Sequence, residues 1–196
     1  MEKESEQKKS RPNSRQIKRV IRRREIASEV RITIYKAIRT LIVIAAVIVL
    51  LATLFFPTVA VRRGTMIPTL LDGERIVFTT IGSIGNGDII AFNLGNRTMV
   101  KRVIAVPGQR VEIDEHGVVY VDREPIEELY VTNLALGICD ITMPMQVPDN
   151  QYFVMGDNRA ISIDSRTMEF GTVHKDEIIG KAVFKIWPLN RIGLVP

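Results

Sequence analysis

The pattern of apolar and polar positions divides the chain into three parts. Residues 1–39 are mostly polar, residues 40–61 carry no charge, and residues 62–196 contain short apolar runs separated by Gly, Pro, Asn and Asp. The 22 residues from Thr40 to Val61 would form a helix long enough to cross a hydrocarbon core of about 30 Å. A buried core helix is rarely so uniformly apolar, and a cleavable signal peptide has a shorter apolar region. The sequence therefore predicts one transmembrane helix over 40–61.

The part after this span has the pattern of a β domain. Its runs are rich in Val, Ile, Phe and Tyr, several of them alternate with polar residues, and the turn Asp-Glu-His-Gly between two of them is typical of a hairpin. The predicted strands are 74–80, 88–93, 99–106, 110–114, 118–122, 151–155 and 178–187. We expect a mostly antiparallel β domain, sandwich-like or barrel-like. Residues 123–150 fit this pattern less well and are interpreted as an excursion with one irregular strand or turn of helix.

The charge is concentrated in the first part. Residues 1–39 carry 13 Lys and Arg against 5 Asp and Glu, whereas residues 40–196 carry 14 against 17, so +8 and −3 give the net +5. The basic composition thus describes a tail, predicted to be disordered or a loose helix on anionic headgroups, and the competing hypothesis of a nucleic-acid-binding arm is disfavoured. The positive-inside rule places the tail in the cytoplasm and residues 62–196 outside the membrane.

Few residues of the outer part are typical of metal or nucleophile chemistry. Cys139 is the only cysteine, so no intrachain disulfide can form, and His116 and His174 are the only histidines. We interpret both histidines as solvated surface residues, which disfavours a Ser-His-Asp arrangement. No metal ligand cluster is present in the pattern, and no cofactor is expected.

A hydroxyl nucleophile paired with a lysine base is the remaining possibility for catalysis. Thr65 lies in GTMIPTL, and Lys101 lies in TMVKRVIAVPG among Val and Ile. Burial in such a strand would lower the pKa of the lysine, but strand spacing alone favours a Lys101 that points outward from an edge strand. A third stretch, MGDNRAISIDSR at 155–166, is either an ordinary polar turn or a loop that orients the lysine, with an Asp164–Arg166 ion pair. Periodicity leaves both alternatives open.

The order of these stretches resembles a known family. GTMIPTLLDGE, then GDIIAFN with VKRVIAVPGQ, then MGDNRAISIDSR follow the conserved boxes of type I signal peptidases, behind the same kind of membrane anchor, over roughly residues 38–187. The resemblance implies a membrane-anchored serine-type endopeptidase with a Ser-Lys dyad on a β-rich fold. Its partners would be exported preproteins and membrane lipids, with no nucleic acid; the oligomeric state is left open.

The resemblance also implies roles for individual residues. It gives Thr65 the nucleophile's position and Lys101 that of the general base. Supporting positions fall on Ser162, Asp164, Arg166, Gly156, Asp157, Met66 and Pro68. Departures from the family pattern are threonine in place of serine at 65, Arg63 where some relatives have a serine, and Ala105 and Gln109 where the family more often has Gly and an acidic residue.

Threonine at position 65 leaves two alternatives to a fully active enzyme. One is a catalytically weak or inactive signal-peptidase-like factor that binds exported proteins or assists their assembly. The other is a membrane-anchored β domain unrelated to proteolysis, which leaves the three stretches unexplained. If a serine elsewhere is the nucleophile, Ser83 is the one without another expected role.

Overall fold

The computed structural model describes residues 14–196, with side chains described from residue 29 onward. The predicted state of the first thirteen residues of the tail therefore lies outside the described residues. Helix α1, Ser14–Phe55, includes the rest of the tail, without a break at Thr40. Its stretch Glu29–Phe55 is long and apolar enough to cross a membrane, and its side chains are exposed.

The end of this helix corrects the predicted span of 40–61. Helix α1 ends at Phe55, and Thr58–Ala60 is a strand. Pro57 explains the difference, because a proline disfavours helical geometry in the residue before it and cannot donate an intrahelical hydrogen bond. The apolar composition continues to Val61, but the last part of it belongs to the β structure.

Twelve strands follow the helix, and all observed pairings are antiparallel. They are β1 Thr58–Ala60, β2 Arg75–Thr79, β3 Ile89–Leu94, β4 Arg97–Ala105, β5 Arg110–Ile113, β6 Val119–Val121, β7 Glu124–Pro125, β8 Met145–Gln146, β9 Gln151–Met155, β10 Val173–His174, β11 Ile178–Trp187 and β12 Gly193–Leu194. The larger sheet has the order β1-β2-β11-β3-β4-β9-β10, with β12 on β11. The smaller sheet has the order β7-β6-β5-β8.

The predicted fold class is confirmed. All seven predicted strands are present, with each boundary within two residues of the prediction. The five strands that the pattern missed have only two or three residues each, too few to show an alternation. Two of these, β7 and β8, lie in the 123–150 excursion and extend the smaller sheet.

Strand β4 decides where the site lies. It pairs with β3 on one side and β9 on the other, and all six of its residues from Val100 to Ala105 are buried. The expectation from spacing alone, a Lys101 exposed on an edge strand, is therefore wrong. Alternation did not reveal this because both faces of the strand are covered, as in any strand at the centre of a core.

Candidate active site

Lys101 lies in the interior of the larger sheet. Its side chain is 1% exposed, and its Nζ donates a hydrogen bond of 2.6 Å to Ser162 Oγ. The pKa of Lys101 is lowered from 10.5 to about 8, mainly by burial; Asp164 and Asp157 oppose this shift, and Arg166 adds to it. A substantial fraction of this amine is thus neutral near physiological pH and able to accept a proton.

Ser162 belongs to the loop 155–166, whose shape is set by a buried ion pair. Asp164 and Arg166 face each other in two hydrogen bonds, Nε to Oδ1 at 2.8 Å and Nη2 to Oδ2 at 2.9 Å. Arg166 Nη2 also donates to the Ser162 carbonyl at 3.2 Å, so the ion pair fixes the residue that contacts Lys101. Burial opposes ionisation of Asp164, but the Arg166 guanidinium and the Gly156 N–H keep the pKa of this carboxyl below its usual value. The ion pair expected from the sequence is present.

Thr65 follows a sharp turn of the chain. Arg63 and Gly64 both have positive φ, 73° and 61°, and the Gly64 N–H donates to Asp72 Oδ1 at 2.8 Å. The Thr65 carbonyl accepts a hydrogen bond of 3.0 Å from the Asn158 N–H, while the Thr65 side chain stays half-buried. The turn and the 155–166 loop together hold Thr65 at the edge of the interior.

Met66 and Pro68 differ in their surroundings. Met66 is fully buried in the core cluster beneath the larger sheet, so it anchors the loop by packing. Pro68 is exposed, and its peptide bond with Ile67 is cis. Of the two predicted loop-shaping residues, only Met66 is a member of the buried core.

Gly156 lies between Thr65 and Ser162, the residue that contacts Lys101. A Cβ at this glycine would overlap Ser162 Oγ and come within 2.6 Å of the Thr65 carbonyl oxygen. Thr65 and the hydroxyl that contacts Lys101 therefore flank the same glycine. Among the described residues, no hydrogen bond joins the Thr65 hydroxyl directly to Lys101 Nζ, as is common in catalytic pairs before substrate binds.

Gly156→Ala is expected to lower cleavage of a substrate roughly a hundredfold, because the new methyl group displaces Thr65 or Ser162 by about 1 Å. A fluorogenic peptide assay in detergent measures the loss. Gly193→Ala is the matched control, since a Cβ at Gly193 meets nothing within 4 Å. Equal activity of the two variants would show that the close approach at Gly156 does not matter for the reaction.

A second buried ion pair, which the sequence did not suggest, holds the loops together. Arg102 donates to both carboxylate oxygens of Asp157, at 2.9 and 2.7 Å, and the Thr69 hydroxyl donates to the same carboxylate at 2.5 Å. Asp157 thus joins the loop of Thr65 to the strand of Lys101. The one hint in the sequence that Arg102 belongs to the site is its position next to Lys101. Strand alternation argues against it, because successive residues of a strand point to opposite faces and two adjacent cationic residues are not expected to be buried together.

The 123–150 excursion packs against this ion pair. The Tyr130 ring lies 3.8 Å from the Arg102 guanidinium carbon, and Glu128 forms a buried, two-pronged ion pair with Arg159. Burial, with Glu128 next in effect, raises the pKa of Tyr130, so the phenol stays neutral. The excursion therefore contacts the site through Arg102 and Arg159.

The other candidates from the sequence lie outside this cluster. His116 and His174 are exposed, as predicted; Asp114 Oδ1 accepts the His116 N–H in the predicted hairpin turn. Ser83 is exposed in a loop, whereas the Ser165 hydroxyl accepts the N–H of Val154 and is occupied there. No group of three or more potential metal-binding side chains occurs in the part of the chain that the structure describes.

A cleft of about 490 Å³ opens beside Thr65. One wall is formed by residues 58–63, including β1, and the other by residues 97–100 at the start of β4. Because β1 is the terminal strand of the larger sheet, one of its edges is free to pair with an extended peptide. Thr65 thus lines a cleft that also contains the terminal strand of the sheet.

Residues 34–187 match the family model described as signal peptidase, peptidase S26. The chain belongs to this family. The resemblance seen in the three sequence stretches is thereby confirmed, and the family indicates a serine-type endopeptidase.

Several named relatives are similar over most of the chain. The probable signal peptidase I-1 of Synechocystis is 36% identical over 170 residues, covering 78% of this chain and 83% of the relative. Signal peptidase IB of Staphylococcus aureus is also 36% identical over 170 residues, covering 76% and 87%. A crystal structure of a signal peptidase I from Enterococcus faecalis is 30% identical, covers 52% of this chain and 98% of its own, and has a TM-score of 0.43.

Proposed function

We propose that this signal peptidase cleaves exported preproteins with the Thr65 hydroxyl as nucleophile and Lys101 as general base. The observation that carries the proposal is the Lys101 amine, buried in the central strand β4 with the Ser162 hydroxyl 2.6 Å from its Nζ. A signal peptidase needs a base beside a hydroxyl, and this lysine has the position, the partner and the lowered pKa for that role.

The first chemical step is acylation. Neutral Lys101 takes the proton of the Thr65 hydroxyl, and the oxygen attacks the scissile carbonyl to form a tetrahedral intermediate. Its oxyanion would be held by the Thr65 N–H together with a second donor nearby. Collapse of the intermediate releases the amine of the mature protein, which takes the proton from Lys101.

The second step is hydrolysis of the ester on Thr65. Lys101, neutral again, takes a proton from water as the water oxygen attacks the ester carbonyl. The tetrahedral intermediate then breaks its bond to Thr65 Oγ1, which takes the proton back from Lys101, and the cleaved signal peptide leaves with a free carboxylate. Ser162, fixed by the Asp164–Arg166 ion pair, acts as a positioning residue that keeps the lysine Nζ aimed at both protons. Burial of these groups lets the small hydrogen-bond network hold its geometry without reorganisation.

Substrate choice would come from the cleft beside Thr65. An extended chain pairing with the free edge of β1 would present alternate side chains to the cleft wall, and we expect small residues such as Ala before the cut. Shallow pockets between strand residues fit such side chains better than large ones.

The apolar helix and the family together fit a membrane-anchored enzyme. We propose that its N-terminus is cytoplasmic, because the 13 basic residues before Thr40 favour the inner face. The catalytic part would then lie outside, where a signal sequence presents its cleavage site. Protease protection in sealed vesicles, with tags at each end, tests this orientation.

The pH dependence of cleavage tests the proposed base. Only the neutral lysine can act, so kcat/KM is expected to rise about tenfold per pH unit below the Lys101 pKa of about 8 and to level off above it. A labelled preprotein in detergent, assayed from about pH 6 to about pH 10 with mass analysis of both products, measures the profile and the bond cut. A flat profile, or an inflection near the ordinary histidine value of about 6.5, would contradict a lysine base.

A further inference from the structure

The cleft beside Thr65 has a cationic rim. Arg62 and Arg63 lie on one wall and Arg97 on the other, and the cleft has no acidic lining residue. All three side chains belong to exposed residues. We use the name arginine rim for Arg62, Arg63 and Arg97.

The charges of the rim are not used within the protein. Among the described residues none of the three guanidinium groups forms an ion pair, whereas the buried Arg102, Arg159 and Arg166 each face a carboxylate. The positive charge of the rim does not reflect the composition of this part of the chain, because residues 40–196 carry a net charge of −3. A local excess of positive charge in a cleft attracts anionic groups of a bound ligand.

The position of the rim relative to Thr65 indicates which ligand groups it meets. Arg62 and Arg63 immediately precede the Gly64-Thr65 turn, so they flank the bond that would be cut. Arg97 precedes Lys101 by four residues on β4, which at about 3.3 Å per residue is about 13 Å along the strand. An extended peptide in the cleft would thus pass the rim next to the scissile bond and again about four residues away from it.

We propose that the arginine rim selects preproteins with acidic side chains close to the cleavage site. This inference rests on the proposed function, since it assigns a substrate preference to the same site. Carboxylates of the substrate pair with the guanidinium groups at the open mouth of the cleft, and lysines at the same substrate positions are repelled. Because such pairs are solvent-exposed, each contributes a modest factor, about two- to fivefold in affinity.

Binding measurements test the preference without requiring turnover. A panel of peptides with one Glu, Gln or Lys, moved in turn through the positions on each side of the scissile bond, is titrated against full-length Thr65→Val protein in detergent. At the best position the Glu peptide is expected to bind about threefold more tightly than Gln and about tenfold more tightly than Lys, and added salt should reduce the difference. Arg97→Gln should reduce the preference for the Glu peptide over the Lys peptide by about threefold at substrate positions about four residues from the scissile bond.

Arg110→Gln is the matched control, because Arg110, like Arg97, is the exposed first residue of a strand but lies in the smaller sheet. Equal affinities for the Glu, Gln and Lys peptides, or an equal loss in Arg110→Gln and Arg97→Gln, would overturn the inference. So would an Arg97→Gln variant that binds phosphatidylglycerol vesicles more weakly but keeps its peptide preference, since the rim would then serve the membrane surface.

Cleavage by the parent protein separates this inference from the proposed function. A charge preference in binding, without cleavage above the Lys101→Met background, would support the rim and contradict the proposed catalysis. Cleavage of a neutral peptide without any charge preference in binding would support the proposed catalysis and contradict the role of the rim.

Discussion

Lys101→Met is expected to reduce cleavage by about a hundredfold to ten-thousandfold, the usual contribution of a general base. Methionine fills a similar volume but cannot accept a proton. Cleavage of a labelled preprotein, measured by single-turnover kinetics, gives the loss. The effect should appear in the chemical step and leave peptide affinity close to that of the parent, because Lys101 is only 1% exposed and does not line the cleft.

Folding is expected to survive this change. A pKa lowered from 10.5 to about 8 means that the charged lysine costs on the order of 3 kcal/mol in the folded state. Methionine removes that cost but leaves the Ser162 hydroxyl without its partner, at about 1–3 kcal/mol. Thermal unfolding should therefore change little, and Lys175→Met, an exposed lysine, is the matched control. A Lys101→Met protein that folds and keeps a tenth of the parent activity would show that another group is the base.

Thr65→Val and Thr65→Ser are expected to change activity in opposite directions. Valine keeps the shape of threonine and removes only the hydroxyl, so cleavage should fall to the Lys101→Met background. Serine keeps the hydroxyl and removes the methyl group that restricts χ1, and we expect kcat to rise roughly tenfold with little change in KM. Mass analysis of acid-quenched reactions should show an ester on the parent and on Thr65→Ser but none on Thr65→Val.

Each result at Thr65 has a distinct meaning. Thr80→Val is the control for the loss of an exposed threonine hydroxyl. Undiminished cleavage by Thr65→Val would move the nucleophile elsewhere, with Ser83→Ala as the next variant. An inert parent with an active Thr65→Ser would support the alternative of a protein that binds exported chains without cutting them, since one methyl group would then block catalysis.

The strands and the anchor were predictable because their signals are local. Alternating runs such as Arg110–Ile113 and Val119–Val121 mark half-buried strands, and an uncharged span marks a membrane helix. Composition alone places the end of the helix too late, whereas Pro57 carries the stop signal. The short strands of two residues have no periodicity to detect.

The interior of the site was less predictable because it depends on contacts between distant residues. Spacing favoured an exposed Lys101, and only the resemblance gave it a buried role. The Arg102–Asp157 and Glu128–Arg159 pairs join residues 55 and 31 positions apart, and no local pattern indicates which of many charged residues will pair in the interior. The contact of Tyr130 with Arg102 depends in the same way on how the excursion folds back.

These long separations also determine when the site comes into existence. Lys101 and Ser162 are 61 positions apart, and Thr69 and Asp157 are 88 apart, so the first half of the β part cannot assemble the cluster alone. Contacts of such high sequence separation form late, after the intervening chain has been ordered. A chain still emerging across the membrane would carry Thr65 and a solvated, protonated Lys101 with no serine partner. Under the proposed orientation and catalytic roles, the enzyme would gain its base only after the chain through Ser162 has crossed the membrane.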